Sequence, residues 1–258
     1  MVLETKNIKQ QLSQLESIEE RLEYLKNKYS DKTAVIVAPG PTLNEHDHDA
    51  LRQLFETRDD LVILPIKQAY DVCKETSDFH IVNTYNFDKY NGYNYTNLAL
   101  IIFYGLSKSY VNDQIEKLLI KPHPCDIWVP IVNPPYITYD QCMHKSGDWD
   151  KMFMLQNEPQ SWWGTSILFE QAIPMALLIG CKKIITIGWD LTTGQHSYDH
   201  NKTSFEVMSG EEEKTLDSIK GTVSLYEWCL KNNIEINILS RLNVADSRFK
   251  RLNSIKEI

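Results

Sequence analysis

Short apolar runs rich in Val and Ile recur along this chain with helical patterns between them, and that alternation most limits how it can fold. The runs cover residues 33–38 (TAVIVA), 61–66, 79–83, 98–104, 126–132, 183–188 and 234–239. Near-continuous hydrophobic runs of this length are what strands buried on both faces require. Helical patterns lie at about 67–75, 107–120, 165–179 and 211–232. Strands alternating with helices predict βαβ units: an α/β, Rossmann-like, mostly parallel sheet with helices on both faces. Pro174 inside the third helical pattern is expected to kink that helix or to mark its start.

Ahead of the first strand, Ile8, Leu12, Leu15, Ile18, Leu22 and Leu25 recur at spacings of three and four, which predicts one amphipathic helix. The expected organisation is therefore an N-terminal helix over 1–30, packed on its own domain, and a single Rossmann-like nucleotide-binding catalytic domain over 31–258. A stretch at 133–163, rich in Pro, Tyr and Trp and without periodicity, reads as a lid or binding segment.

A net charge of −8 argues against nucleic acid as a partner, because backbone affinity there comes mainly from Lys and Arg. It leaves room for a small anion held by backbone amides. No apolar run approaches the ~20 residues that span a bilayer. The first residues lack a basic region followed by an apolar one, so a cytoplasmic protein is expected. The 5 cysteines are widely spaced without a Cys-x-x-Cys, which supports neither a disulfide framework nor a zinc knuckle. Homo-oligomerisation stays open.

Open parallel sheets bind ligands outside the carboxyl ends of their strands, and several segments stand at such ends. After the first strand come Gly40, Pro41 and Thr42, where a glycine and a helix start offer backbone amides to an anion. From pattern, this turn serves equally as a ligand cradle or as a tight connection. Gly164, Thr165 and Ser166 open a later helix and form a second candidate cradle. Asn83 ends its strand and is a candidate ligand amide. A strand ending Gly188-Trp189-Asp190 delivers a carboxylate to the same edge, ahead of a loop holding His196, Tyr198, Asp199 and His200. The spacing of His196 and His200 needs a helix to converge on a metal, and the loop does not read as one, so no metal site is assigned. A general base or a phosphate contact is the better use of these groups. His46 and His48, in an acidic run, read as a solvated helix face, with Thr42 or Asn44 capping the helix.

These residues carry a family resemblance. The turn Gly40-Pro41-Thr42-Leu43, the helix start Gly164-Thr165-Ser166, the run IGCKKIITIGWDL and the following Gly194-Gln195-His196 resemble the MptE-like family. That family includes the motility accessory factors, which are flagellin glycosyltransferases. More distantly, the set is similar to the bacterial family 42 sialyltransferases, which share the first turn, the Gly-x-Asp strand end and a tyrosine at the offset of Tyr198. The resemblance spans 33–44 and 164–198 with specific motifs. It implies a Rossmann-like domain, a nucleotide gathered at the strand ends and, from the sialyltransferases, a CMP-linked donor used without metal, its phosphate touching Tyr198. This chain departs by carrying Ala38 where the sialyltransferases have Asn, and by having no histidine over 211–218, where theirs is catalytic.

The expected activity is transfer of a nonulosonic, sialic-acid-like sugar from a CMP-linked donor to a hydroxyl on a small-molecule or glycan acceptor. His196 is the expected base, oriented by Asp190 or Asp199, with His200 as the second candidate. No cofactor is expected. The alternative, also represented in the family, is a diphosphokinase moving diphosphate from ATP to a hydroxymethyl pterin-like substrate, with Asp190 and Asp199 holding Mg²⁺. A non-catalytic nucleotide-binding module is the third reading.

Overall fold

The computed structural model describes residues 2–83, 99–105, 127–131, 172–191 and 211–258. Within them every apolar run of the sequence forms a strand. These are β1 (Thr33–Val37), β2 (Leu61–Pro65), β3 (Phe79–Asn83), β4 (Ala99–Gly105), β5 (Ile127–Ile131), β6 (Lys183–Ile187) and β7 (Glu235–Leu239). A further strand, β8 (Lys250–Arg251), adds beside β7. At two residues it is too short for any periodicity to announce it.

Among the described residues all strand pairings are parallel. The strands form a five-stranded sheet in the order β2-β1-β6-β7-β8 and a three-stranded sheet in the order β3-β4-β5. A parallel bridge between Ile66 and Ile81 joins the two beside β2. Asp78 strengthens that seam, its carboxylate accepting from the Ile63 amide at 2.8 Å while its own amide donates to the Ile63 carbonyl at 3.1 Å. The chain runs outward from β1 through β2, β3, β4 and β5, then returns to lay β6 against the other side of β1. The strand order therefore reverses between β1 and β6, and this is the fold's topological switch point.

The strands alternate their side chains between two cores. Ala34 and Ile36 of β1, Val62 and Leu64 of β2 and Ile184 of β6 face one core. Val35, Val37, Ile63 and Ile185 face the other. The first core is covered by α1 (Val2–Ser13), α2 (Ile18–Tyr29), α5 (Ile173–Leu178) and α6 (Glu211–Lys231), through Leu12, Leu25, Met175 and Leu225. The second is covered by α3 (His48–Thr57) and α4 (Tyr70–Cys73), through Leu51, Phe55 and Cys73. Helices on both faces of a parallel sheet make this an α/β Rossmann-like fold.

Several helix boundaries differ from those expected. The N-terminal helix is two helices, because Ser17 and Glu20 form a reciprocal capping box that starts α2. The Ser17 hydroxyl accepts from the Glu20 amide at 3.1 Å, and the Glu20 carboxylate accepts from the Glu16 and Ser17 amides. Those backbone bonds hold Glu20 below the usual carboxylate range. The apolar periodicity runs through the break because both helices turn toward the same core: Ile8, Leu12, Leu25 and Tyr29 are buried in it. The pattern at 67–75 shortens to a 3-10 turn (Lys67–Ala69) and α4. Pro174 stands at the N1/N2 position of α5, the place in a helix where proline is best tolerated. The patterns at 107–120 and 165–171 and the segment 133–163 lie outside the described residues. No helix among the described residues is long and apolar enough to cross a membrane.

Candidate functional site at the switch point

The turn after β1 and the turn after β6 are locked together at the crevice the topology creates. The Ala38 amide donates to the Ile187 carbonyl at 2.8 Å and the Gly40 amide to the Gly188 carbonyl at 3.0 Å. Both glycines are needed for so close an approach. A Cβ on Gly40 would lie 2.2 Å from the Gly188 carbonyl oxygen and 2.6 Å from Oδ2 of Asp190. Gly188 has φ +69°, and its Cβ would meet the Ala38 carbonyl oxygen at 2.3 Å. In this structure the openness of Gly40 is filled by the protein's own β6 turn.

Asp190 is the centre of the arrangement. Its Oδ2 accepts from the Thr42 amide at 2.6 Å, and its Oδ1 accepts from the hydroxyls of Thr42 and Ser240. Those two hydroxyls lie 3.3 Å apart. Asp190 is 8% exposed, Ser240 8% and Thr42 1%, so one buried carboxylate gathers the ends of β1, β6 and β7. The segment carrying it is anchored from behind. Asn243 Nδ2 donates to the Trp189 carbonyl at 2.5 Å, while its Oδ1 accepts from the Ala245 amide and from Arg251.

The helix expected directly after Gly40 is displaced. Pro41–Glu45 form a 3-10 turn, and α3 begins at His48 with Asp47 as its N-cap, accepting from the Asp49 and Ala50 amides. Neither Thr42 nor Asn44 caps it. A short carboxylate side chain two residues upstream of the first free amides satisfies them better than Thr42, whose hydroxyl is taken by Asp190.

His46 stands between the 3-10 turn and α3, near enough to Asp190 for the carboxylate to act on its ring. Its Nε2 is buried and has no hydrogen-bond partner. Burial of the ring lowers its pKa, while the nearby carboxylates of Glu45 and Asp190 oppose that shift and His48 adds to it. His48 donates Nε2–H to the Leu43 carbonyl at 3.1 Å. Arg241, just past β7, grips Glu45 through two nitrogens, Nε at 2.7 Å from Oε2 and Nη2 at 2.5 Å from Oε1. Sequence reasoning passed over Ser240, Arg241 and Asn243 because it ended at the last apolar residue of β7. The signal was there: the polar pair directly after a strand's carboxyl end.

At the neighbouring strand ends, Lys67 follows β2 with φ +49°. Its carbonyl is held by His80 Nε2–H at 2.7 Å. The His80 ring is fully buried and stacks on Tyr70 with centroids 4.6 Å apart. That burial pushes the pKa of His80 down to about 3, so it serves as a neutral donor. Asn83 closes β3 at the same edge, and only its backbone is described.

The structure thus brings together Gly40, Pro41, Thr42 and Asp190, and adds Ser240, Arg241 and His46. Gly164, Thr165, Ser166, His196, Tyr198 and His200 lie outside the described residues. Among the described residues no three His, Cys, Asp or Glu side chains converge to hold a metal ion. Fold and site together define a parallel α/β domain with a buried polar cluster at its switch point. Comparison with protein-family models gives no match, and comparison with curated proteins gives none either.

Proposed function

We propose that the chain is a nucleotide-dependent transferase, and specifically a glycosyltransferase that moves an acidic nonulosonic sugar from a CMP-linked donor to a hydroxyl acceptor. The observation that carries the reading is the convergence of Gly40, Thr42, Asp190 and Ser240 where the strand order reverses, the position at which open α/β sheets receive nucleotides. The choice of a CMP-linked sugar rests on the motif resemblance at 33–44 and 164–198. In this scheme Asp190 is a positioning residue, since its two oxygens are engaged by Thr42 and Ser240. His196 takes the acceptor hydroxyl's proton as that oxygen bonds to the anomeric carbon. The bond from that carbon to the phosphate oxygen breaks, and CMP leaves with the electron pair. His200, Tyr198 and the start at Gly164, Thr165 and Ser166 complete the site from the sequence side.

The test is thermal stabilisation by nucleotides with and without Mg²⁺, followed by turnover of the stabilising donor. Stabilisation by CMP in EDTA, with CMP released from a CMP-linked nonulosonic sugar, is the expected result. Stabilisation by ATP only with Mg²⁺ replaces the reading with diphosphate transfer. Binding of CMP with no transfer to any hydroxyl acceptor leaves a nucleotide-binding module.

A further inference from the structure

A nucleotide in this crevice needs something to hold its phosphate, and the groups first expected to do so are engaged. The Thr42 amide and hydroxyl both point at Asp190. With Thr42 committed, the turn after β1 offers an anion little from its own amides. Other groups must supply the attraction.

Beside the Asp190 cluster, two groups have that capacity. Arg241 follows Ser240 directly, so its backbone is fixed beside the hydroxyl that Asp190 holds. Its guanidinium engages the Glu45 carboxylate in the two-pronged geometry that also suits a phosphate. The pair is exposed, 68% on the Arg241 side and 38% on the Glu45 side, and exposed ion pairs contribute little net stability. Exchanging one anion for another at Arg241 is therefore easy. His46, next to Glu45 in the chain, has a buried Nε2 with no hydrogen-bond partner, and such an atom remains costly until a partner reaches it.

We propose that Arg241 and His46 form the phosphate-binding position of the switch-point crevice, with Glu45 standing in for the phosphate until a nucleotide displaces it. The proposal rests on the nucleotide reading and deepens it. Glu45 acts as an internal competitor: it keeps Arg241 extended over the crevice and must be released when the ligand arrives. His46 then donates a hydrogen bond to the phosphate, and the phosphate's negative charge beside its ring favours the protonated form. The charged and titratable groups facing His46 are Glu45 on its own turn, His48 on α3 and Asp190 after β6, with Arg241 acting through Glu45. The carboxylates raise its proton affinity, and burial and His48 lower it. Phosphate binding consequently tightens as pH falls toward the range where histidine titrates.

The experiment is calorimetric titration of the whole chain with CMP, cytidine and inorganic phosphate at low ionic strength. Arg241→Ala is expected to weaken CMP by at least about tenfold, the scale of a lost charged hydrogen bond, and to leave cytidine unchanged. Glu45→Gln is expected to tighten CMP by roughly two- to fivefold, because the competing ion pair is gone. His46→Gln is expected to flatten the rise in CMP affinity as pH falls below about 6.5, beyond what the phosphate's own titration near about pH 6 imposes. Arg241 and Glu45 are exposed, and a melting curve of each variant checks that folding is retained. CMP affinity unchanged in Arg241→Ala overturns the proposal while the nucleotide reading stands. Weakening of CMP by Glu45→Gln overturns it as well, since Glu45 is then structural and not a competitor. A wild-type chain that binds neither CMP nor any other nucleoside monophosphate overturns the nucleotide reading, and this proposal with it. Binding of inorganic phosphate with the same response to the three variants, and none of CMP, keeps the anion position and refutes its nucleotide.

Discussion

Replacing Asp190 by alanine separates a carboxylate that ties the fold from one held ready for chemistry. The variant removes the acceptor for the Thr42 amide and for the hydroxyls of Thr42 and Ser240. Thr42 is 1% exposed, so water does not readily replace the lost acceptor for its amide. A buried donor left unsatisfied costs about 1–3 kcal/mol. The two hydroxyls, 3.3 Å apart, can turn toward each other and recover part of their share. Relief from holding a charge at low exposure offsets another part. The balance is a loss of roughly 2–4 kcal/mol, a large fraction of the ~5–15 kcal/mol that holds a domain folded. Urea unfolding without ligand measures it as a fall in midpoint at unchanged slope. A double-mutant cycle with Thr42→Val gives the pairwise part, expected to exceed about 0.5 kcal/mol for groups in direct contact. An Asp190→Ala chain within about 0.5 kcal/mol of wild type would refute the argument, since surface-like neutrality is incompatible with a buried node.

Other outcomes follow from the same geometry. Gly40→Ala loses about 1–3 kcal/mol, the scale of overpacking a tight contact, because its Cβ would sit 2.2 Å from the Gly188 carbonyl oxygen; an unchanged urea midpoint contradicts this. His80 has a pKa of about 3 when folded, against an ordinary value near 6.5, so between those values the unfolded chain binds a proton that the folded chain does not. Its contribution is complete above about pH 6.5 and falls away by roughly 1.4 kcal/mol per pH unit below that, down toward pH 3; a His80→Gln chain measured alongside lacks this slope. Ser17→Ala weakens the start of α2 by about 1 kcal/mol, read by chemical denaturation. Under the proposed function, His196→Ala lowers turnover by about 10²-fold with nucleotide affinity little changed, and wild-type turnover in both His196→Ala and His200→Ala removes the assignment.

Strands β1 to β7 and their order along the chain were legible in the sequence. A strand buried on both faces must be apolar at successive positions, and the consecutive residues Val35, Ile36 and Val37 are all buried, with no polar position between them. The capping box at Ser17 and Glu20 was also legible in principle, but a continuous apolar stripe concealed the break because both helices serve one core. What the sequence determined by itself was therefore local: strand runs, helix periodicity, and Gly40 and Asp190 as punctuation at strand ends. Tertiary structure alone decided that β6 lies against β1, and that Asp190 reaches Thr42 across 148 positions of chain. It also decided that Ser240, Arg241 and His46 gather around Asp190. The physical reason is that periodicity reports which face of an element is buried, while neighbours across a parallel sheet are chosen by crossover connections and shared cores far apart in sequence. His46 shows the difference most clearly. Its acidic surroundings read as solvent, and only the fold turned one of its nitrogens inward.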